Sequence, residues 1–180
     1  MNPNVRERIE HYLQLLISPI DSKATVEFIQ EGTQWRINID CTIDPDLFIG
    51  EKSETLVAIQ HVLRTLVHKN LPDDRTHFIL DVRLYRKKRE ENITNKLPIL
   101  IEKFAINQGK SLVLTGLSSY ERLLIHHYLA EAKGVQTLSV GMSTSRKMLI
   151  MPSGESGSTG GLDNAIVVDI EKLMEDSKEV

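Results

Sequence analysis

Arg122 and His126 stand four residues apart in the run Ser118-Ser119-Tyr120-Glu121-Arg122-Leu123-Leu124-Ile125-His126. That spacing puts two side chains on one helical face, one turn apart. Arginine offers a planar fork that matches a phosphate, and histidine a ring that donates, accepts or stacks. Ser118 and Glu121 have the spacing of a capping box, so Ser119 and Tyr120 fall in the first helical turn, where exposed amides and the positive dipole end favour an anion. Tyr120 adds a flat face for a base. Further cations occur in Tyr85-Arg86-Lys87-Lys88-Arg89 and in Arg146-Lys147. Each group also has a plainer reading. His126 borders Leu124, Ile125, Tyr128 and Leu129 and either completes a core or faces a ligand; Arg86, Lys87 and Arg89 either solvate the outside of a helix or meet phosphate.

The distribution of charge bears on that choice. The 180 residues carry a net −3, but residues 1–80 hold 8 Lys and Arg against 12 Asp and Glu, residues 81–151 hold 12 against 6, and residues 152–180 hold 2 against 7. The middle segment is therefore +6 between flanks of −4 and −5, which favours one basic groove shared by Arg86, Lys87, Arg89, Arg122, His126, Arg146 and Lys147. Aromatic residues make up 5% of the chain, so sequence preference for a nucleic acid is expected to be modest.

Other function classes find little support. The histidines His126 and His127 point to different parts of a helix, and no His-x-x-x-His spacing completes a metal site with Glu121 or Glu131. There is no Walker loop, dinucleotide fingerprint or serine elbow, so neither an enzyme nor a cofactor is expected. The lone cysteine, Cys41, excludes a disulfide framework. No window approaches the roughly 18–20 apolar residues of a membrane span. The expected setting is the cytoplasm, without membrane insertion.

The elements that must position these residues follow from apolar spacing. Val5, Ile9, Tyr12, Leu13 and Leu16 mark a helix behind Asn2-Pro3. Two strands, residues 25–30 and 35–40, flank a turn at Glu31-Gly32-Thr33. Asp44-Pro45 opens a short helix ending at Gly50, and Leu56, Ile59, Leu63, Leu66 and Val67 mark a longer one ending near Asn70 and Pro72. Residues 77–82 read as a buried strand. This order suits an α+β unit, a three-stranded sheet with helices on one face. Next, Ile93, Leu97, Leu100, Ile101 and Phe104 form a helical stripe that Pro98 either kinks or divides into two helices, and Gly109 ends it. A strand (111–114), a helix (119–132) and a hairpin (136–142 and 146–151) complete a second α/β unit. Residues 152–180 read as a Gly/Ser linker and a mobile acidic tail with one apolar run, Ala165 to Val168.

Three motifs in this order resemble a known family. Leu47-Phe48-Ile49-Gly50-Glu51-Lys52-Ser53 occupies the place of the glycine-rich GxxG loop of KH domains. Asp81-Val82-Arg83-Leu84-Tyr85-Arg86-Lys87-Lys88-Arg89-Glu90-Glu91 resembles the Tyr-Arg-x-x-Arg-Glu-Glu junction of the bacterial Jag (SpoIIIJ-associated) proteins. The Arg122/His126 run is similar to that family's Arg-x-x-x-His signature, which names its R-three-H domain, and Ser139-Val140-Gly141 through Arg146 resembles its closing hairpin. The resemblance implies a KH-like domain of helix-first bacterial topology in residues 1–82 and a linking helix with a small α/β R-three-H domain in residues 83–151. It also implies binding of single-stranded RNA, with single-stranded DNA left open, as a post-transcriptional regulator or RNA chaperone. The alternative is an adaptor whose KH half pairs with another small KH-domain protein. The loop Gly50, Glu51, Lys52, Ser53 is degenerate. Serine replaces the second glycine and suits a helix N-cap, and Glu51 puts a negative charge where phosphate would lie.

Overall fold

The computed structural model describes residues 1–72, 76–142, 145–153 and 165–175. The chain divides into two compact units, Met1–Lys87 and Lys88–Val180. In the first, α1 (Pro3–Ile17) starts where Asn2 Oδ1 accepts the Asn4 amide at 3.0 Å with proline in the first turn. It is followed by β1 (Thr25–Glu31), β2 (Gln34–Asp40), α2 (Asp46–Ile49), α3 (Glu54–Asn70) and β3 (Phe78–Val82). The order matches that expected from apolar spacing. β2 is central, antiparallel to β1 and parallel to β3. Val5, Ile9, Leu13 and Ile17 of α1 and Leu56, Leu63 and Val67 of α3 pack with Ile37, Ile39, Leu80 and Val82, the alternate residues of β2 and β3.

The residues between them on those strands carry a buried polar network. Arg36 and Asp81 are 1% and 0% exposed and form an ion pair at 2.8 Å, and Arg36 Nε donates to Glu31 at 2.9 Å. Asp81 Oδ1 also accepts the Arg86 amide (2.9 Å), and Oδ2 the Lys87 amide (3.1 Å). These are first-turn amides of α4 (Tyr85–Leu100), which have no carbonyl one turn back. Ahead of them, Arg83 (φ 47°) and Leu84 (φ 58°) are both left-handed, a strained turn held by Arg83 N donating to Ile39 O and Leu84 N to Asn38 Oδ1, each at 2.9 Å. The unit boundary consequently falls after Lys87, inside α4, and not after residue 82.

The turn between α2 and α3 also departs from helical backbone. Any side chain at Gly50 (φ 72°) would force a shift, because a Cβ there would lie 2.2 Å from Thr55 Oγ1 and 2.9 Å from the Thr55 amide nitrogen. Lys52 (φ 50°) and Ser53 (φ 65°) are left-handed as well. Ser53 is buried but makes no capping hydrogen bond, contrary to the N-cap expectation. A serine therefore occupies a backbone conformation that suits glycine.

The second unit begins within α4. The helix runs on through Pro98, and no second helix starts there; the irregularity falls later, where residues Ile101–Ile106 take the wider winding of a π-helix. β4 (Leu112–Thr115), α5 (Ser119–Leu129), β5 (Val135–Val140) and β6 (Lys147–Pro152) follow. A further strand, β7 (Ile166–Asp169), pairs parallel with β4, giving the order β5-β6-β4-β7, and leads into α6 (Ile170–Glu175). This corrects the expectation of a loose tail: Ile166 N donates to Ser111 O at 2.8 Å and Ile170 is buried. Most of the Gly/Ser linker lies outside the described residues. Ile93, Leu97, Ile101 and Ala105 pack with Leu112, Leu114, Ile125, Leu129, Met148 and Ile150 on one face of the sheet.

These contacts set the expected cost of two substitutions. Asp81→Ala leaves Arg36 without its fully buried partner and two α4 amides without an acceptor, a loss of about 3–5 kcal/mol. Urea unfolding followed by the fluorescence of Trp35, the neighbour of Arg36 on β2, measures it. Ser53→Gly removes a left-handed penalty of about 1–2 kcal/mol against about 0.4–1 kcal/mol of added unfolded-state entropy, so the midpoint should rise.

Candidate nucleic-acid interface

The start of α5 is built by reciprocal hydrogen bonds. Ser118 Oγ accepts the Glu121 amide at 3.2 Å, and Glu121 Oε2 accepts the Ser118 amide at 2.7 Å. The capping box anticipated from Ser118 and Glu121 is thus formed. The Ser119 amide stands in the first turn, at the positive end of the helix dipole. Ser119 is exposed and Tyr120 half-buried beside it.

Arg122 turns back toward this end. Its Nη1 donates to Leu117 O at 2.7 Å and its Nη2 to Ser119 Oγ at 2.8 Å, and the residue is only 9% exposed. Burial, and secondarily the positive charge of Arg146, push the Arg122 pKa down, while Glu121 opposes the shift. A guanidinium so displaced is still protonated at any physiological pH. Arg146 itself is exposed in the turn ahead of β6. The Arg122 guanidinium and a helix N-terminus therefore stand together, an arrangement that favours an anionic oxygen.

His126 does not close an apolar core. It is half-buried between α5 and β5, with Nδ1 2.6 Å from Thr137 Oγ1 and Nε2 3.0 Å from Ser139 Oγ. Hydroxyls donate or accept, so both ring nitrogens keep partners in either protonation state. Neither Thr137 nor Ser139 was among the candidate binding residues, and Ser139 entered only as the start of the hairpin motif. Their signal was available: they share the inward parity of buried Val135 on β5.

Arg86 and Arg89 differ from the solvent-facing groove expected of them. Arg86 is buried and its Nη1 donates to Gln60 Oε1 at 2.8 Å in the first unit. Arg89, in the second, pairs through Nε with the carboxylate of Glu121 and donates from Nη2 to Gly116 O at 3.4 Å. Both lie on the inward face because residues 86, 89, 93, 97 and 101 form one helical stripe, continuous with buried Ile93, Leu97 and Ile101. Lys87 is half-buried and Lys88 exposed. Lys147 is exposed, but it alternates with buried Met148 and so belongs to the sheet face opposite α5. In the turn after α2, Glu51 and Lys52 are exposed and their charged groups stand 3.9 Å apart, while Gly50 is half-buried. Among the described residues no group of three His, Cys, Asp or Glu side chains is placed to hold a metal ion.

Residues 96–152 match the R-three-H domain family, a match that spans β4, α5, β5 and β6. The chain is 27% identical over 126 residues to the RNA-binding protein KhpB of Clostridium symbiosum, covering 70% of this chain and 55% of that protein. It is 29% identical over 139 residues to RNA-binding protein KhpB of Lactiplantibacillus plantarum, covering 77% and 42%. The chain spans about half the length of the curated relatives it matches.

Proposed function

We propose that the chain binds single-stranded nucleic acid, chiefly RNA, at the start of α5, as a non-enzymatic, cytoplasmic regulator or chaperone of transcripts. The observation that carries this reading is the Arg122 guanidinium held on Leu117 O and Ser119 Oγ at the capped N-terminus of α5, with Arg146 exposed to solvent. Arg146 meets a phosphate directly, the Ser119 amide offers a second donor, and Arg122 holds the Ser119 hydroxyl while supplying charge. His126 orients the adjoining surface of β5, and Tyr120 provides a stacking face. The R-three-H match and the relatives named as RNA-binding support the same reading.

The first unit reads as a KH-like domain of helix-first topology, supported by its helix-strand-strand-helix-helix-strand order and by the left-handed turn at Gly50 to Ser53. Exposed Glu51 weakens any phosphate contact there. Exposed Leu47, Val57 and Val62 on α2 and α3 favour a second reading for this unit, pairing with another small KH-domain protein.

Fluorescence anisotropy with a short oligouridylate tests the first reading. Arg146→Ala should weaken binding and reduce the salt slope by about 0.7, the share of one phosphate contact on a single strand. Arg122→Ala should weaken it further, and Lys147→Ala should leave the slope alone. Wild-type binding by both arginine variants would remove the site. For the second reading, Val57→Asp/Val62→Asp should abolish co-sedimentation with a KH-domain partner; unchanged co-sedimentation overturns it.

A further inference from the structure

Arg89 stands seven residues ahead of the segment that matches the R-three-H family, in a basic run whose plain reading is phosphate contact. Its surroundings do not suit that role. Its side chain is 13% exposed and that of its partner Glu121 6% exposed. The same Glu121 carboxylate accepts the Ser118 amide at 2.7 Å, and Arg89 Nη2 reaches Gly116 O two residues earlier. Gly116 is left-handed (φ 74°), and a Cβ there would lie 3.0 Å from Asp169 Oδ1. The turn from Gly116 to Ser118 is thus held by two arginines, Arg89 on Gly116 O and Arg122 on Leu117 O.

We propose that Arg89 is a positioning residue for the anion site at the start of α5: it sets the Gly116–Ser118 turn and neutralises Glu121, and it does not touch phosphate. The inference rests on the reading of that site as nucleic-acid binding and extends the working unit beyond the family match, toward the start of α4. The chemistry has two parts. Glu121 is the one carboxylate of the α5 capping turn, and an unneutralised negative charge there opposes an incoming phosphate. A carboxylate so buried also needs a cationic partner to keep its place, so without Arg89 it swings toward water and releases the Ser118 amide.

The test compares Arg89→Ala with Arg89→Ala/Glu121→Gln in the full chain, at a temperature where circular dichroism shows both folded. The second change removes the stranded charge while glutamine still caps Ser118. Two readouts are taken: oligouridylate affinity as a function of salt, and amide hydrogen exchange from Ser118 to Arg122 without ligand. Arg89→Ala should bind about tenfold more weakly, the scale of one lost charge-assisted hydrogen bond. Its salt slope should match wild type, its capping amides should exchange faster, and the added Glu121→Gln should restore both affinity and protection. A slope reduced by about 0.7 in both variants, with no recovery, would mean that Arg89 contacts phosphate, and the proposal falls. Unchanged exchange in Arg89→Ala also overturns it. If wild type binds no oligouridylate, the proposed function fails by itself, and the exchange data alone decide the positioning role.

Discussion

Taking a guanidinium out of water costs several kcal/mol unless its N–H groups are met, and this chain withdraws several of its arginines from solvent. Arg36 lies between Asp81 and Glu31, Arg86 against Gln60, Arg89 against Glu121, and Arg122 between Leu117 O and Ser119 Oγ. Each burial is matched by an acceptor that also performs local structural work. Asp81 caps the first turn of α4; Glu121 caps α5. For Arg36 and Arg89, secondary structure and charge burial are therefore one problem, because the carboxylates that hold the starts of α4 and α5 are also their buried partners.

This coupling changes the meaning of the basic middle segment. A surplus of six positive charges describes composition, but Arg86, Arg89 and Arg122 are committed to internal partners, and Lys147 lies on the sheet face away from α5. What stands at the start of α5 is small: the Arg122 guanidinium on Leu117 O and Ser119 Oγ and a first-turn amide, while Arg146 stays in solvent.

The second sheet shows a related economy. Residues after the hairpin supply β7 beside β4, and Asp169 at its end lies against Gly116, so a segment beyond the family match flanks the turn that leads into α5. Nothing in the composition of residues 152–180 announced this. A four-residue apolar run behind a glycine-rich stretch reads as tail, and its parallel pairing with β4 is a contact between residues some fifty positions apart, which no local period encodes.

By itself the sequence determined what short-range physics can encode: the order of elements in the first unit, the Asn2 and Ser118 caps, the inward stripe of α4, and the placing of Arg122 and His126 one turn apart. Those depend on spacing along the chain and on side chains bonding to backbone two or three residues away. Only the tertiary structure decided which cations face water. Whether Arg89 meets phosphate or Glu121, whether His126 fills a core or bridges to Thr137 and Ser139, and whether Ile166 to Asp169 hangs loose or completes a sheet all turn on partners distant in sequence. A charged side chain is equally compatible with solvent and with a buried counter-charge, and the difference is the desolvation energy that the fold alone can offset.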